Sequence, residues 1–263
     1  NGFKRLLTSG TKPLGAWLMS GAPSTAEALG CAGFDFLVVD MEHVPIDPPQ
    51  MVEILRAVAG TPAAPITRVP WNDMVMVKRA LDGGAQTVMF PFIQSAEEAR
   101  RAVAYTRYPP DGVRGFAGVH RASRFGTVAD YAKRAASELC VIVQIETLPA
   151  LSELEAIAQV DGVDSIFIGP GDLSASMGHL GQMGHADVLA KLEWAAATCK
   201  RLGKPAGIIG PNPDFATKFI SFGFSWLAIG SDMSFLVGRA QEWLGRIRGA
   251  APAIATPKAP DAY

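Results

Sequence analysis

The stretch Cys140–Ser174, CVIVQIETLPALSELEAIAQVDGVDSIFIGPGDLS, decides how the rest of the chain is read. It reads as strand, helix, strand, and each strand run ends on a carboxylate: Glu146 after VIVQI and Asp172 after SIFIGPG. Both runs are nearly continuous in apolar residues, as parallel strands covered on both faces are. Neighbouring parallel strands lie about 4.8 Å apart, so the two side chains leave one sheet edge side by side. Such a pair suits a hard divalent cation with oxygen ligands at about 2.0–2.1 Å. Taken singly, Glu146 also fits a helix cap and Asp172 an Asx turn. The surroundings favour the cation, and GPGD, with Pro170 and Asp172 at its core, reads as a tight turn presenting Asp172 more than as a phosphate cradle.

On either side, strand-like runs alternate with helical stretches. LGAWLM (14–19) precedes a helix opened by Ser24, and FDFLVVDME (34–42) precedes one from Pro48 to Val58. APITRVP (64–70) leads to a helix near Asp73–Leu81, and TVMFPFI (87–93) to one from Ser95 to about Tyr105. PAGIIG (205–210) and WLAIGSD (226–232) complete the set, each with a helix after it. Eight strand–helix units close a barrel, so the expected fold is α/β, a (β/α)8 TIM barrel forming one domain over residues 1–249. No strand is followed by GxGxxG, which leaves an open dinucleotide-binding sheet with little support. Two segments break the rhythm. YPPDGVRGFAGVHRASRFG (108–126) is long for a connection, which marks it as functional or mobile. The Ala/Pro-rich tail over 250–263 reads as disordered.

At 263 residues, 49% hydrophobic and 19% charged, the chain has ample material for a core. Its formal net charge of −1 gives no electrostatic reason to expect nucleic acid or an anionic membrane as partner. No apolar run is long enough to span a bilayer and no signal-peptide pattern opens the chain, so a cytoplasmic location is expected. Cys31, Cys140 and Cys199 lack CxxC spacing and read as three buried thiols in a reducing compartment.

Reactive groups in such a barrel sit at the C-terminal ends of the strands. Those ends carry Asp40, Glu42 and His43 on the second strand, and Arg68 on the third. The fifth carries Gln144 and Glu146, and Asp172 follows the sixth. Asp40 and Glu42 share a parity, as do Gln144 and Glu146, so each pair faces one way. The opposite ends carry little comparable chemistry, and packing alone gives no reason for that segregation. His43 follows Asp40 by three positions, which suggests a carboxylate-oriented imidazole acting as a base. His120, His179 and His185 read as solvated or structural. Arg68 needs an anionic partner; Asp40 or Glu42 in a structural ion pair would serve, but an open rim beside a metal favours an oxygen of the substrate. Lys78, Lys133, Lys191, Lys200 and Lys218 fall on helices, and Lys204 precedes the seventh strand. With no lysine at a strand's C-terminal end, an imine mechanism has no nucleophile.

Together DMEH (40–43), TRVPWND (67–73), YPPDGVRG (108–115), VQIET (143–147) and FIGPGDLS (167–174) resemble the HpcH/HpaI family of class II pyruvate-dependent aldolases. The resemblance runs from about Leu14 to Arg248. It implies a (β/α)8 barrel, a divalent Mg2+, Mn2+ or Co2+ ion, and a homohexamer, as a dimer of trimers or a trimer of dimers. It implies that Glu146 and Asp172 hold the metal and that Arg68 binds the substrate's keto oxygen. His43 with Asp40 would be the acid–base pair, and Gln144 would line the pyruvate site. Asp82, in LDGGAQT, resembles the acid that reaches a neighbouring subunit's site; on its own it reads as a helix end near Gly83. Two departures stand out. Gly171 occupies a position where many relatives carry Ala, which removes a methyl beside the metal and leaves room for a donor larger than pyruvate. GPNP (210–213) also differs from the more apolar segment of diacid-degrading members.

The expected activity is metal-dependent cleavage of a 4-hydroxy-2-oxo acid to pyruvate or hydroxypyruvate and an aldehyde. Small oxoacids and aldehydes are then the partners. A CoA-thioester lyase of the same superfamily is the nearest rival, but no basic site for an adenine phosphate is evident. A catalytically silent barrel that binds oxoacids is the other, and it would not need the rim residues.

Overall fold

The computed structural model describes residues 1–249; the 250–263 tail, expected to be disordered, lies outside the described residues. The eight strands are β1 (Leu14–Leu18), β2 (Phe36–Asp40), β3 (Ala64–Arg68), β4 (Thr87–Phe90), β5 (Cys140–Ile145), β6 (Ser165–Ile168), β7 (Ala206–Ile209) and β8 (Trp226–Ser231). All pair in parallel and in sequence order, and β8 returns to β1 to close the barrel. The fold is the expected TIM barrel.

Helix α1 (Gly2–Leu7) precedes the barrel, and α2 (Pro23–Cys31), α3 (Pro48–Val58), α4 (Met74–Asp82) and α5 (Ala96–Thr106) follow the first four strands. Then come α6 (Tyr131–Glu138) before β5, and the pair α7 (Leu148–Ser152) and α8 (Leu154–Ala158) after it. The last four are α9 (Pro170–Ser176), α10 (Ala186–Arg201), α11 (Pro213–Phe222) and α12 (Asp232–Arg248). Local chemistry explains the starts. The Asp73 carboxylate accepts from the amides of Val75 and Met76, both at 2.9 Å, and Asn212 accepts from Phe215 at 3.0 Å. Prolines 48 and 213 sit in the first turn, where a missing N–H costs nothing. Among the described residues no helix is long and apolar enough to cross a membrane.

Side-chain alternation along the strands builds two cores. One set packs outward against the helices. The other fills the barrel: Phe36 and Val38 of β2, Ile66 of β3, Cys140 and Ile142 of β5, Phe167 of β6, and Trp226 of β8. Gly15 and Gly207 give these rings their room, since an added Cβ would lie 2.4 Å from Phe36 and 2.2 Å from Trp226. Phe3 of α1 closes the bottom with edge contacts to Phe36 and Trp226, at 5.3 and 5.1 Å between ring centroids. The same inward rows continue upward into polar residues. Phe36 and Val38 lead to Asp40, Ile66 leads to Arg68, and Cys140 and Ile142 lead to Gln144. One end of the barrel is therefore apolar and the other carries the chemistry.

Three expectations need correction. Asp172 was expected on a tight turn, but Pro170 starts α9 and puts Asp172 in its first helical turn. The helix after β5 is broken at Glu153 into α7 and α8. Cys140 and Cys199 are buried, and burial pushes both thiols up, but Cys31 at the end of α2 is exposed.

Candidate active site

Asp40 and Arg68 are the last residues of β2 and β3 and are register partners across the two strands. Arg68 forks onto the fully buried Asp40, Nε donating to Oδ1 at 2.9 Å and Nη2 to Oδ2 at 2.7 Å. Asp40 Oδ1 also accepts from the backbone amides of Glu42 (3.0 Å) and His43 (3.4 Å), which fixes the turn that follows β2. The third guanidinium nitrogen, Nη1, lies 2.7 Å from Glu42 Oε2 and donates at 3.5 Å to Gln144 Oε1. The contact with Glu42 is one of charge, because Oε2 receives no aligned hydrogen bond. The guanidinium stands over the Trp17 ring, 5.1 Å from its centroid. Arg68 is thus immobile, and two carboxylates outweigh its single charge.

Across the rim, Glu146 follows β5 and is buried. Its Oε1 accepts from the Phe92 amide at 2.8 Å and its Oε2 from Gln144 Nε2 at 2.5 Å. Phe92 makes that contact from the left-handed region, at φ 54°, a conformation that costs on the order of 1–3 kcal/mol in a non-glycine residue. Gly169 permits the approach from the other side. A Cβ there would lie 2.6 Å from Glu146 Oε2. Burial, together with the charges of Glu42 and Asp172, pushes the Glu146 carboxyl up to about 7, against the opposing effect of the Phe92 N–H and Arg68. Glu42 is raised as well, by burial above all, although Arg68 and His43 lower it. Burial is the main cause of the rise in Glu146, and the two neighbouring carboxylates add to it.

Of these groups Arg68 and Gln144 line a cavity of about 380 Å3 at the C-terminal mouth of the barrel, whereas Asp40, Glu42 and Glu146 are not part of its lining. His43, Arg68, Gln144, Gly171 and Asp172 line it, so most of the expected site residues come together. Trp17, Met19, Phe167, Met183, Ile209 and Pro211 form its apolar wall, and no lining residue is lysine. Two placements differ from the picture drawn from sequence. The imidazole of His43 is not held by Asp40, whose oxygens are taken by Arg68 and backbone amides. The ring is largely exposed, with Nε2 4.0 Å from Glu42 Oε2. Asp82, the last residue of α4, lies outside this cavity and pairs with the buried Arg114 at 2.7 Å, with His120 Nε2 3.8 Å away. Glu42 was noted at the rim without a role, and its parity with Asp40 was the usable signal. Trp17 and Phe92 carried none, since one reads as core and the other as strand.

The Glu146 shift makes a prediction about stability. Below its ordinary value of 4.5 the carboxyl is protonated in both folded and unfolded chains. Between 4.5 and about 7 the folded chain keeps a proton that the unfolded chain has lost, so stability declines as pH rises through this window. The loss is on the order of 3 kcal/mol. Urea unfolding in chelator at pH 5 and pH 8 should reveal the slope, and Glu146→Gln should flatten it. An equal slope in the variant would move the effect to another group.

The comparisons with known proteins agree with this geometry. The profile of the HpcH/HpaI aldolase/citrate lyase family matches residues 14–238. A 2-dehydro-3,6-dideoxy-6-sulfogluconate aldolase of Pseudomonas putida is 49% identical over 95% of this chain and 99% of its own. A pyruvate aldolase of Rhizobium etli is 48% identical over 90% of this chain and 93% of its own. Among solved structures, a family protein from Burkholderia cenocepacia J2315 superposes with a TM-score of 0.91 at 41% identity, covering 94% of this chain and 99% of that one. With the match running from β1 into α12 and near-half identity to aldolases over almost the whole length, the chain belongs to the HpcH/HpaI aldolase/citrate lyase family and is a carbon–carbon lyase.

Proposed function

We propose that the protein cleaves 4-hydroxy-2-oxo acids reversibly to pyruvate, or hydroxypyruvate, and an aldehyde, with a divalent cation held by Glu146 and Asp172. The carrying observation is the buried Glu146, joined through Gln144 to the fixed Arg68, at the mouth of a cavity that Asp172 lines and no lysine does. The donors are carboxylate oxygens, which suit Mg2+, Mn2+ or Co2+. When bound, the ion polarises the C2 carbonyl as a Lewis acid.

The chain's own residues supply the rest. Asp40 locks the Arg68 fork, so one guanidinium edge is fixed toward the cavity and donates to the substrate's C2 oxygen as negative charge develops there. Gln144, bonded to both Arg68 and Glu146, orients the carboxylate end of the oxoacid. His43, open to the cavity mouth, accepts the C4 hydroxyl proton. The C3–C4 bond then breaks, the aldehyde leaves, and the electron pair passes into the enolate of the donor, which Arg68 stabilises. Reprotonation at C3 completes pyruvate.

The assembly we propose is the homohexamer that the family resemblance implied. Its support lies in α12, which buries only its first residue, Asp232. Leu236, Val237, Trp243, Leu244 and Ile247 are exposed at helical spacing on this helix. A stripe of that size suits a second copy of the chain.

The test is aldol addition across a panel of aldehydes, with pyruvate and hydroxypyruvate as donors, in wild type and Gly171→Ala. Gly171 lines the cavity, and a Cβ there meets nothing within 4 Å beyond its chain neighbours and the backbone of its own helix, so the methyl would occupy substrate space. Gly171→Ala should lower hydroxypyruvate use by ~10-fold or more, the scale of one misplaced methyl group, while pyruvate use persists. Equal loss with both donors would remove Gly171 from donor selection. Absence of adduct with every donor would remove the aldolase reading.

A further inference from the structure

We propose that His179, His185 and Asp187 form a second cation site, for a borderline transition ion such as Zn2+, Ni2+ or Co2+, that ties down the α9–α10 connection. It involves none of the carboxylates at the barrel mouth and stands independently of the aldolase reading.

The connection folds back on itself. Gly178 (φ 80°) and Gly181 (φ 74°) adopt left-handed conformations. The amide of His179 donates to Ser174 O at 2.8 Å, and those of Gln182 and His185 donate to His179 O and Gln182 O, both at 2.9 Å. These turns bring the two imidazoles together, 3.6 Å between centroids and 17° between planes. Asp187, in the first turn of α10, points one oxygen at both. Oδ2 is 3.6 Å from His179 Nε2 and 3.6 Å from His185 Nδ1. One ligand atom from each residue lies within 4.8 Å of the others, and this is the one such trio of His, Cys, Asp and Glu found among the described residues.

Chemistry then selects the ion. Ligands at about 2.0–2.1 Å in a tetrahedron stand about 3.3 Å from one another, so each nitrogen–oxygen pair needs to close by only a few tenths of an ångström. Two stacked rings cannot aim their lone pairs at one point, so binding requires the imidazoles to turn edge-on. That rotation is soft for histidine. His185 Nδ1 also exchanges its long 3.3 Å bond from the Asp187 amide for the ion. The histidines are partly exposed and Asp187 is exposed, which lets an ion enter without disturbing the core. Two imidazoles and one carboxylate favour borderline ions, whereas the all-carboxylate set at the rim favours Mg2+ or Mn2+. Occupancy has a consequence for the cavity, because Met183 of the same connection forms part of its wall.

The experiment titrates untagged, metal-stripped full-length protein with Co2+, followed by visible absorption and calorimetry. Glu146→Gln/Asp172→Asn serves as background, so that rim carboxylates do not contribute. One equivalent should still bind in that background, with a ligand-field band of low-coordinate cobalt. Adding His179→Ala, or in a separate protein Asp187→Asn, should weaken it by ~10-fold or more. Hydrogen exchange over residues 177–185 should slow on Co2+ addition in the background protein and not in the triple variants. No binding in the background, or binding that neither His179→Ala nor Asp187→Asn weakens, would overturn the site.

Discussion

Arg68→Ala is expected to lose turnover and stability together. An oxyanion donor typically contributes ~2.7–4 kcal/mol to the transition state, a factor of ~10²–10³ in kcat. The same truncation leaves Asp40 buried without its partner, and breaking a buried pair on one side costs ~3–5 kcal/mol. Arg68→Lys separates the two effects. A lysine restores charge beside Asp40 and Glu42 and should recover part of the unfolding free energy. It cannot reproduce the fork, so kcat should stay low. A lysine variant with near-normal kcat would assign Arg68 to the ion pair alone and leave the enolate without its donor.

His43→Ala should have the opposite signature: a fall of ~10²–10⁴ in cleavage rate, the scale of general-base loss, with stability almost unchanged. The ring is largely exposed, and its nearest ionic partner, Glu42, is 4.0 Å away. Its removal should shift unfolding by less than ~0.5 kcal/mol. Because Asp40 holds Arg68 and not the imidazole, Asp40→Asn should resemble the arginine variants in losing stability. Calorimetric metal affinity should not change in His43→Ala, since Glu146 and Asp172 are untouched. Near-normal cleavage by His43→Ala would show that the proton leaves by another route.

How much of this was legible follows from which interactions are local. Strand periodicity is a nearest-neighbour property, so the eight strands were visible, as was the parity that carries Asp40 and Glu42 to one face. Helix α3 was located from Pro48 to Val58 because a first-turn proline and an amphipathic stripe mark it. That Asp40 pairs with Arg68 was one of the alternatives the sequence offered, but the choice among them was not legible. It depends on the β2–β3 register that sets Asp40 opposite Arg68, and no property of the DMEH segment encodes that register. Proline misled at Pro170, where it opens a helix as readily as it shapes a turn. Phe92 and Gly169 act only through proximity to Glu146, one as a strained amide donor and the other as an absent methyl. Both are three-dimensional facts.

On the proposed chemistry, a cation held by carboxylates, and no lysine imine, supports carbon–carbon cleavage. The most direct measurement is pyruvate released from a 4-hydroxy-2-oxo acid by one preparation, assayed as purified, after chelation, and after Mg2+, Mn2+ or Co2+ is returned. Held by only two protein oxygens, as proposed, the ion would exchange readily. Release should therefore fall to background on chelation and recover on addition of metal, with no covalent adduct when pyruvate and borohydride are present. Undiminished release from metal-free protein, or a borohydride-trapped pyruvate on a lysine, would contradict the account.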